Sequence, residues 1–176
     1  ASAHKFHGPK GVGFLYASSA DFDSYLHGGD QELKKRAGTE NLAAIVGMVA
    51  ALKEDLNDQV EHYQKLSTLK ATFLEEIADL NYYLNESNHQ LPYVVNIGFP
   101  GQKNDLLLLR LDLEGISIST GSACTAGIVQ TSHVLEAFYG PDSHRLKESV
   151  RISLSPLNTE EELKQLAQTL KNIIGD

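Results

Sequence analysis

The 176-residue chain has a single cysteine, Cys124, and so cannot close an internal disulfide. That fits a reducing compartment. One cysteine is also too few for a zinc site of paired thiolates, and the seven histidines are scattered, so no metal is expected. There is no run of 18 apolar residues, which argues against a membrane-spanning helix. No charged-then-apolar segment opens the chain, which argues against a secretory leader. The net charge is -8 and no Lys/Arg cluster stands out, so a nucleic-acid partner is not expected. Internal repeats and low-complexity tracts are absent as well. What remains, 41% hydrophobic and 22% charged residues, is the composition of an ordinary globular protein of one large domain or a small one with an appendage.

Periodicity then sets out the elements. Gly11–Tyr16 reads as a short buried strand, and residues 27–41 as a polar loop rich in glycine. Leu42, Ile45, Val46, Val49, Leu52 and Leu56 make one apolar helical stripe, which resumes at Leu66, Leu69, Phe73, Leu74, Ile77 and Leu80. The length implies two helices or one bent helix. Lys53, Glu54, Asp55, Asp58, Glu61 and His62 form its solvated face. Residues 81–92 read as a loop, and Tyr93–Phe99 as a strand ended by the Pro100-Gly101 turn. Asn104 or Asp105 can cap a helix through Leu113 that ends at Gly115. Ile116–Ser119 alternates as a strand leading into the cysteine, and Ser132–Tyr139 is a short helix closed by Gly140-Pro141. Val150–Leu154 alternates again. Thr159 with Glu162 is a capping box for a last helix with Leu163, Leu166, Leu170 and Ile173 inward and Gly175 at its end. From about residue 65 this order predicts an α/β sandwich, a small sheet with helices on one face.

Chemistry concentrates in a few places. A lysine holds an aldehyde cofactor only if its amine can lose a proton. Lys5 is flanked by the donors Ser2 and His4, and Gly8, Gly11 and Gly13 allow the backbone to turn tightly around a ligand. The competing reading is a surface lysine near a Gly-Pro turn. Cys124 sits among Gly121, Ser122, Ala123, Ala126 and Gly127, company that suits a reachable nucleophile better than a core thiol. Arg151, in an otherwise apolar and hydroxyl-bearing strand, should meet a carboxylate, either an internal one or that of a substrate. Thr39, after Gly38 and just ahead of a helix, could contact phosphate, although spacing alone favours a helix-capping hydroxyl. His7, His27, His133 and His144 read as solvated or core histidines.

Five segments occur in order: Ser2-Ala3-His4-Lys5…Gly8-Pro9-Lys10-Gly11, His27-Gly28-Gly29…Gln31-Glu32, Arg36–Asn41, Gly121-Ser122-Ala123-Cys124 and Val150-Arg151-Ile152-Ser153. Together they resemble the carboxyl-terminal half of cysteine desulfurases of the nitrogen-fixation and iron–sulfur-cluster type, class-V aminotransferase-like enzymes. The resemblance implies the tail of a fold-type-I large domain over residues 1–64 and a small carboxyl-terminal α/β domain over 65–176. It implies pyridoxal 5'-phosphate held by Lys5, with Ser2, His4 and Thr39 on the phosphate, the last across a homodimer interface. It gives Cys124 the role of taking sulfur from L-cysteine as a persulfide, leaving L-alanine, and Arg151 that of clamping the substrate carboxylate. Sulfur-acceptor proteins, an iron–sulfur scaffold or a tRNA thiolase, are the implied partners, in the cytoplasm and without membrane or direct nucleic-acid binding.

Asp30 stands where the family usually has Gly, Leu33-Lys34 where Arg-Gly is common, and Thr120 where Ser is frequent. The family's groups for the pyridine nitrogen and ring would lie ahead of Ala1, so the 176 residues alone are expected to be inactive. Selenocysteine lyase and a non-catalytic scaffold half are the alternatives.

Overall fold

The computed structural model describes residues 1–87, 90–121 and 131–175. The apolar repeat that begins at Leu42 builds one continuous helix, α1 (Leu42–Glu76). Asn41 caps it, its Oδ1 accepting from Ala44 N at 3.2 Å. Thr39 is therefore not the capping hydroxyl that spacing favoured. The chain divides into two units, Ala1–Val60 and Glu61–Asp176.

In the first unit the amino-terminal segment folds back on itself. A 3₁₀ turn, Ala3–Phe6, is closed by His7 with φ 65°, and Gly8 N donates to Ala3 O at 2.9 Å. Ser2 bridges Gly13 antiparallel, and Ala3 N donates to Val12 O at 3.0 Å. The expectation of a buried strand at Gly11–Tyr16 is corrected: that bridge is its only strand pairing, and Phe14, Leu15 and Tyr16 are exposed. Apolar content shows that a segment wants neighbours, and here the unit supplies only the Ala1–Ala3 backbone and the Phe6 ring, 6.5 Å from that of Phe14. The 27–41 loop holds a 3₁₀ turn at Glu32–Lys34 in which Glu32, Leu33 and Lys34 all have positive φ (49°, 55° and 66°). The early part of α1 presents an exposed stripe: Leu42, Val46, Val49 and Leu56 are 41–70% exposed.

The second unit has a true core. Leu66, Leu69 and Phe73 of α1, and Ile77 just past its end, continue the same stripe but are 0–5% exposed. They pack with a three-stranded antiparallel sheet in the order β1 (Tyr83–Leu84), β2 (Val94–Gly98), β3 (Ser149–Ser153). In register, Val95 faces Ile152 and Ile97 faces Val150, and these four are 0–4% exposed. The same core takes Leu107 and Leu111 from α2 (Asn104–Leu113), and Leu163, Leu166, Ala167 and Leu170 from α5 (Glu160–Gly175). Removing a fully buried ring such as Phe73 costs about 3–5 kcal/mol. The expected helices on one face of a small sheet are thus present.

Details differ from expectation in four places. β1 lies inside the stretch read as a loop, because two residues are too short to give a period. Asn104 does not cap α2; its Nδ2 donates to Leu146 O and Ser149 O (3.2 and 3.1 Å), and Lys103 holds the N-cap position without a side-chain bond. Ile116–Ser119 pairs only through the Ser119–Arg151 bridge. A four-residue helix, α4 (Arg145–Glu148), went unread between α3 (His133–Tyr139) and β3. The local signal that holds is the reciprocal Thr159–Glu162 box at 3.0 and 3.2 Å; Ser132, read as the first residue of a helix, is instead the cap of α3, its Oγ accepting from Leu135 N at 3.3 Å.

Candidate functional site

The lysine segment comes first in the chain. Ser2, His4 and Lys5 are all exposed and belong to one tight turn, Lys5 N donating to Ser2 O at 3.0 Å. The turn is built on small residues: Ala3 is fully buried, and a Cβ on Gly8 would stand 2.9 Å from the Ala3 methyl. Pro9 packs beneath α1, where a Cβ on Gly47 would lie 2.8 Å from Pro9 Cγ. Among the described residues the Lys5 amine has neither a carboxylate nor an acceptor. An exposed amine with a hydroxyl and an imidazole beside it on a fixed backbone suits a phosphate-bearing aldehyde, so the residues present fit pyridoxal 5'-phosphate. Thr39 is exposed after Gly38, whose φ of 107° only glycine adopts freely.

In the second unit, alternation gives the sheet two faces. Val95, Ile97, Val150 and Ile152 turn to the core, leaving Asn96, Ser149 and Arg151 on the other side. Asn96 stands opposite Arg151, and Ser119 pairs with Arg151 from the far side. Two backbone bonds make that pair, Arg151 N to Ser119 O at 2.6 Å and Ser119 N to Arg151 O at 3.1 Å. Arg151 Nε is buried and has no hydrogen-bond partner, and no carboxylate pairs with this guanidinium among the described residues. The internal salt bridge that competed with substrate binding is thus not found among them.

Cys124 lies outside the described residues. The described residues on either side of it are Thr120 and Gly121, which follow Ser119, and Thr131 and Ser132. No group of three or more His, Cys, Asp or Glu residues suited to a metal occurs among the described residues. No helix among them is long and apolar enough to cross a membrane. His7, His27, His133 and His144 are exposed.

A polar cluster beside Arg151 escaped the sequence reading. The Arg145 guanidinium stacks between the rings of Tyr83 (4.1 Å) and Tyr139 (4.5 Å). Its Nη1 donates to Asn85 Oδ1 at 2.7 Å, and Asn85 Nδ2 donates to Asn96 Oδ1 and Ser149 Oγ, both at 2.8 Å. Tyr83 OH donates to Glu148, which also accepts from Gly101 N. Burial pushes the Tyr83 phenol up, with the Glu148 charge adding to it and the Ser149 hydrogen bond opposing. One signal was available: Asn96 sits at the out-of-phase position of the strand Val94-Val95-Asn96-Ile97.

The class-V aminotransferase profile matches residues 1–166, and the chain belongs to that family. Among its relatives, a protein named cysteine desulfurase IscS in Clostridium botulinum is 40% identical over 98% of this chain. One of the same name in Dictyoglomus turgidum is 39% identical over the same share. The chain spans about half the length of the curated relatives it matches, 45% in both of these cases. Among solved structures, a NifS-like protein superposes with a TM-score of 0.83 at 31% identity, over 99% of this chain and 45% of its own. The cysteine desulfurase CsdA of Escherichia coli, at 20% identity and TM-score 0.75, shares the fold.

Proposed function

We propose that the protein containing this chain is a pyridoxal-phosphate-dependent cysteine desulfurase. In this reading it converts L-cysteine to L-alanine and holds the sulfur as a persulfide on Cys124. The observation that carries the reading is Arg151, a cation with a buried, unpartnered Nε beside the base of the cysteine segment. A strand arginine left without a carboxylate carries a charge that calls for an anion, and an amino-acid carboxylate fits its planar fork.

Pyridoxal 5'-phosphate, when bound, supplies the electron sink that makes an amino acid's Cα acidic. Lys5 would hold it, and the same amine, once freed, would move the proton at the substrate Cα. Ser2 and His4 donate to its phosphate, and Thr39 contributes to a phosphate site across a homodimer. Arg151 fixes the substrate carboxylate and so orients Cα and the side chain. The Cys124 thiolate then attacks the substrate sulfur. An S–S bond forms, the substrate C–S bond breaks, its electron pair stays on Cβ and is protonated, and alanine leaves. An acceptor protein, for iron–sulfur assembly or tRNA thiolation in the cytoplasm, would remove the persulfide sulfur.

Mass spectrometry of the complete protein after brief incubation with L-cysteine tests this. The expected result is one added sulfur on the Cys124 peptide, absent in Cys124→Ser, and loss of cofactor absorbance in Lys5→Ala. Undiminished alanine production by Cys124→Ser would refute the assignment.

A further inference from the structure

We infer that Asn96 is a second donor to the substrate carboxylate beside Arg151, with its amide turned the right way by the Arg145–Asn85 pair. This rests on the reading of Arg151 as the carboxylate clamp. Asn96 and Arg151 are directly paired across β2 and β3. Side chains of such a pair project from the same face with their Cβ atoms roughly 5 Å apart.

The orientation of the Asn96 amide follows from a chain of donors and acceptors. Arginine can only donate. Arg145 Nη1 bonds Asn85 at 2.7 Å, so the Asn85 atom there is its oxygen. The Asn85 NH₂ must then face the other way, and its two hydrogens go to Asn96 and Ser149. Asn96 can meet that NH₂ only with its own oxygen. Flipping Asn96 would set two NH₂ groups against each other inside a part-buried network. The Asn96 Nδ2 is thereby left as a donor with no partner among the described residues.

Two unspent donors therefore share one face of the sheet, Asn96 Nδ2 and Arg151 Nε. Asn96 also lines a cavity of about 370 Å³ with Thr120, Gly121 and Thr131, the residues that bracket the cysteine segment. A carboxylate has lone pairs enough for a guanidinium and an amide at once. The same chain of bonds gives the stacked Arg145 a purpose. Fixed by two rings, with no ion pair among the described residues, it sets the polarity that Asn85 passes on. Arg145 and Asn85 are positioning residues, and Asn96 touches substrate.

The test compares L-cysteine with cysteamine, which lacks the carboxylate, in the complete enzyme. Asn96→Ala should raise KM for L-cysteine roughly ten- to a hundredfold with little change in kcat, as loss of a hydrogen bond to a charged group does. Handling of cysteamine should be unchanged. Asn96→Asp, nearly the same shape, should raise the L-cysteine KM further, because its carboxylate occupies Arg151 and repels the substrate's. It decides the matter if the alanine variant melts below the assay temperature. Arg145→Leu should give a smaller rise in KM that does not add to that of Asn96→Ala. Equal effects on both substrates, or none on either, would overturn the role of Asn96. Arg151→Ala separates the two readings. If it abolishes the preference for the carboxylate and Asn96→Ala does not, the clamp stands and Asn96 falls. If Arg151→Ala leaves the preference intact, the clamp reading itself has failed.

Discussion

Gly98 should tolerate no side chain, and the reason lies in Tyr83. The two residues are paired across β1 and β2. A Cβ on Gly98 would come within 3.0 Å of Cζ, Cε2 and Oη of the Tyr83 ring. Gly98 carries no positive φ, so alanine fits its backbone, and lowering the freedom of the unfolded chain would by itself stabilise by about 0.4–1 kcal/mol. The Tyr83 ring is the end of a side chain and can swing away, so little strain remains in the fold. Swinging forfeits the stack on Arg145, about 0.5–1 kcal/mol, and the hydrogen bond to the charged Glu148, about 1.5 kcal/mol for a part-buried pair. The losses win, and Gly98→Ala should destabilise by about 1–2 kcal/mol. For a chain of this size that lowers Tm by roughly 3–6 °C. The assay is thermal and urea unfolding by circular dichroism, because the chain has no tryptophan to report. A double-mutant cycle identifies the cause: in a Tyr83→Ala background Gly98→Ala should become neutral or slightly stabilising. A Gly98→Ala loss that persists undiminished without the ring would refute the steric argument.

Three further outcomes follow from the same contacts. Glu162 is held below the usual carboxylate range by its Asn158 and Thr159 hydrogen bonds. Its folded pKa being depressed, its contribution is complete above its ordinary value of 4.5 and is lost as pH falls below that; urea midpoints of wild type and Glu162→Ala should converge on acidification, and parallel curves would contradict this. Lys34 adopts φ 66°, in the left-handed region that glycine enters without strain. Relief of left-handed strain of about 1–2 kcal/mol, less the 0.5–1 kcal/mol of extra chain entropy, should make Lys34→Gly more stable by roughly 0.5–1 kcal/mol; its exposed pair with Asp30 is worth little. Finally, hydrogen exchange of the 176-residue chain should be slow at Val95, Ile97, Val150 and Ile152 and fast from Gly11 to Tyr16, and the chain with added pyridoxal 5'-phosphate should yield almost no alanine from cysteine. Full turnover by the chain alone would defeat that expectation.

Signals confined to a few neighbouring residues were legible. The Thr159–Glu162 box and the α1 repeat depend on i,i+3 and i,i+4 geometry, and the structure has both. Elements that exist through distant partners were not. β1 is two residues long and owes its strand character to pairing with β2. The segment from Gly11 to Tyr16 has strand composition but only one bridge. Asn104 has the chemistry of a cap, yet carbonyls 42 and 45 positions away claim its amide. The candidate residues divide the same way. Ser2, His4 and Lys5 stand out because they are adjacent in sequence, whereas Asn85, Asn96 and Arg145 meet across as many as 60 positions, with no spacing to mark them.

The α1 helix shows what a periodic pattern specifies and what it omits. From Leu42 to Ile77 one apolar stripe runs at helical spacing, and Leu42–Glu76 forms one uninterrupted helix. Yet Leu42 and Val46 are 70% exposed while Phe73 and Ile77 are fully buried. The difference is in what each half packs against within its own unit. The later residues have a sheet and two further helices. Among the first unit's hydrophobic residues only Ala3 and Met48 are buried. Burying a Leu or Val side chain is worth about 1.5–3 kcal/mol, so the exposed stripe is a large unspent driving force for contact with further polypeptide. The curated relatives are about twice as long as this chain, and their additional length is of the right order to provide it. Lys5 belongs to that underpacked unit, and Arg151 to the well-packed one. Fixing an amine to within about 0.5 Å, as catalysis requires, depends on locking the residues around it by packing. If the proposed roles hold, Arg151 is positioned by the packing of the second unit, whereas within the first unit little packing fixes Lys5.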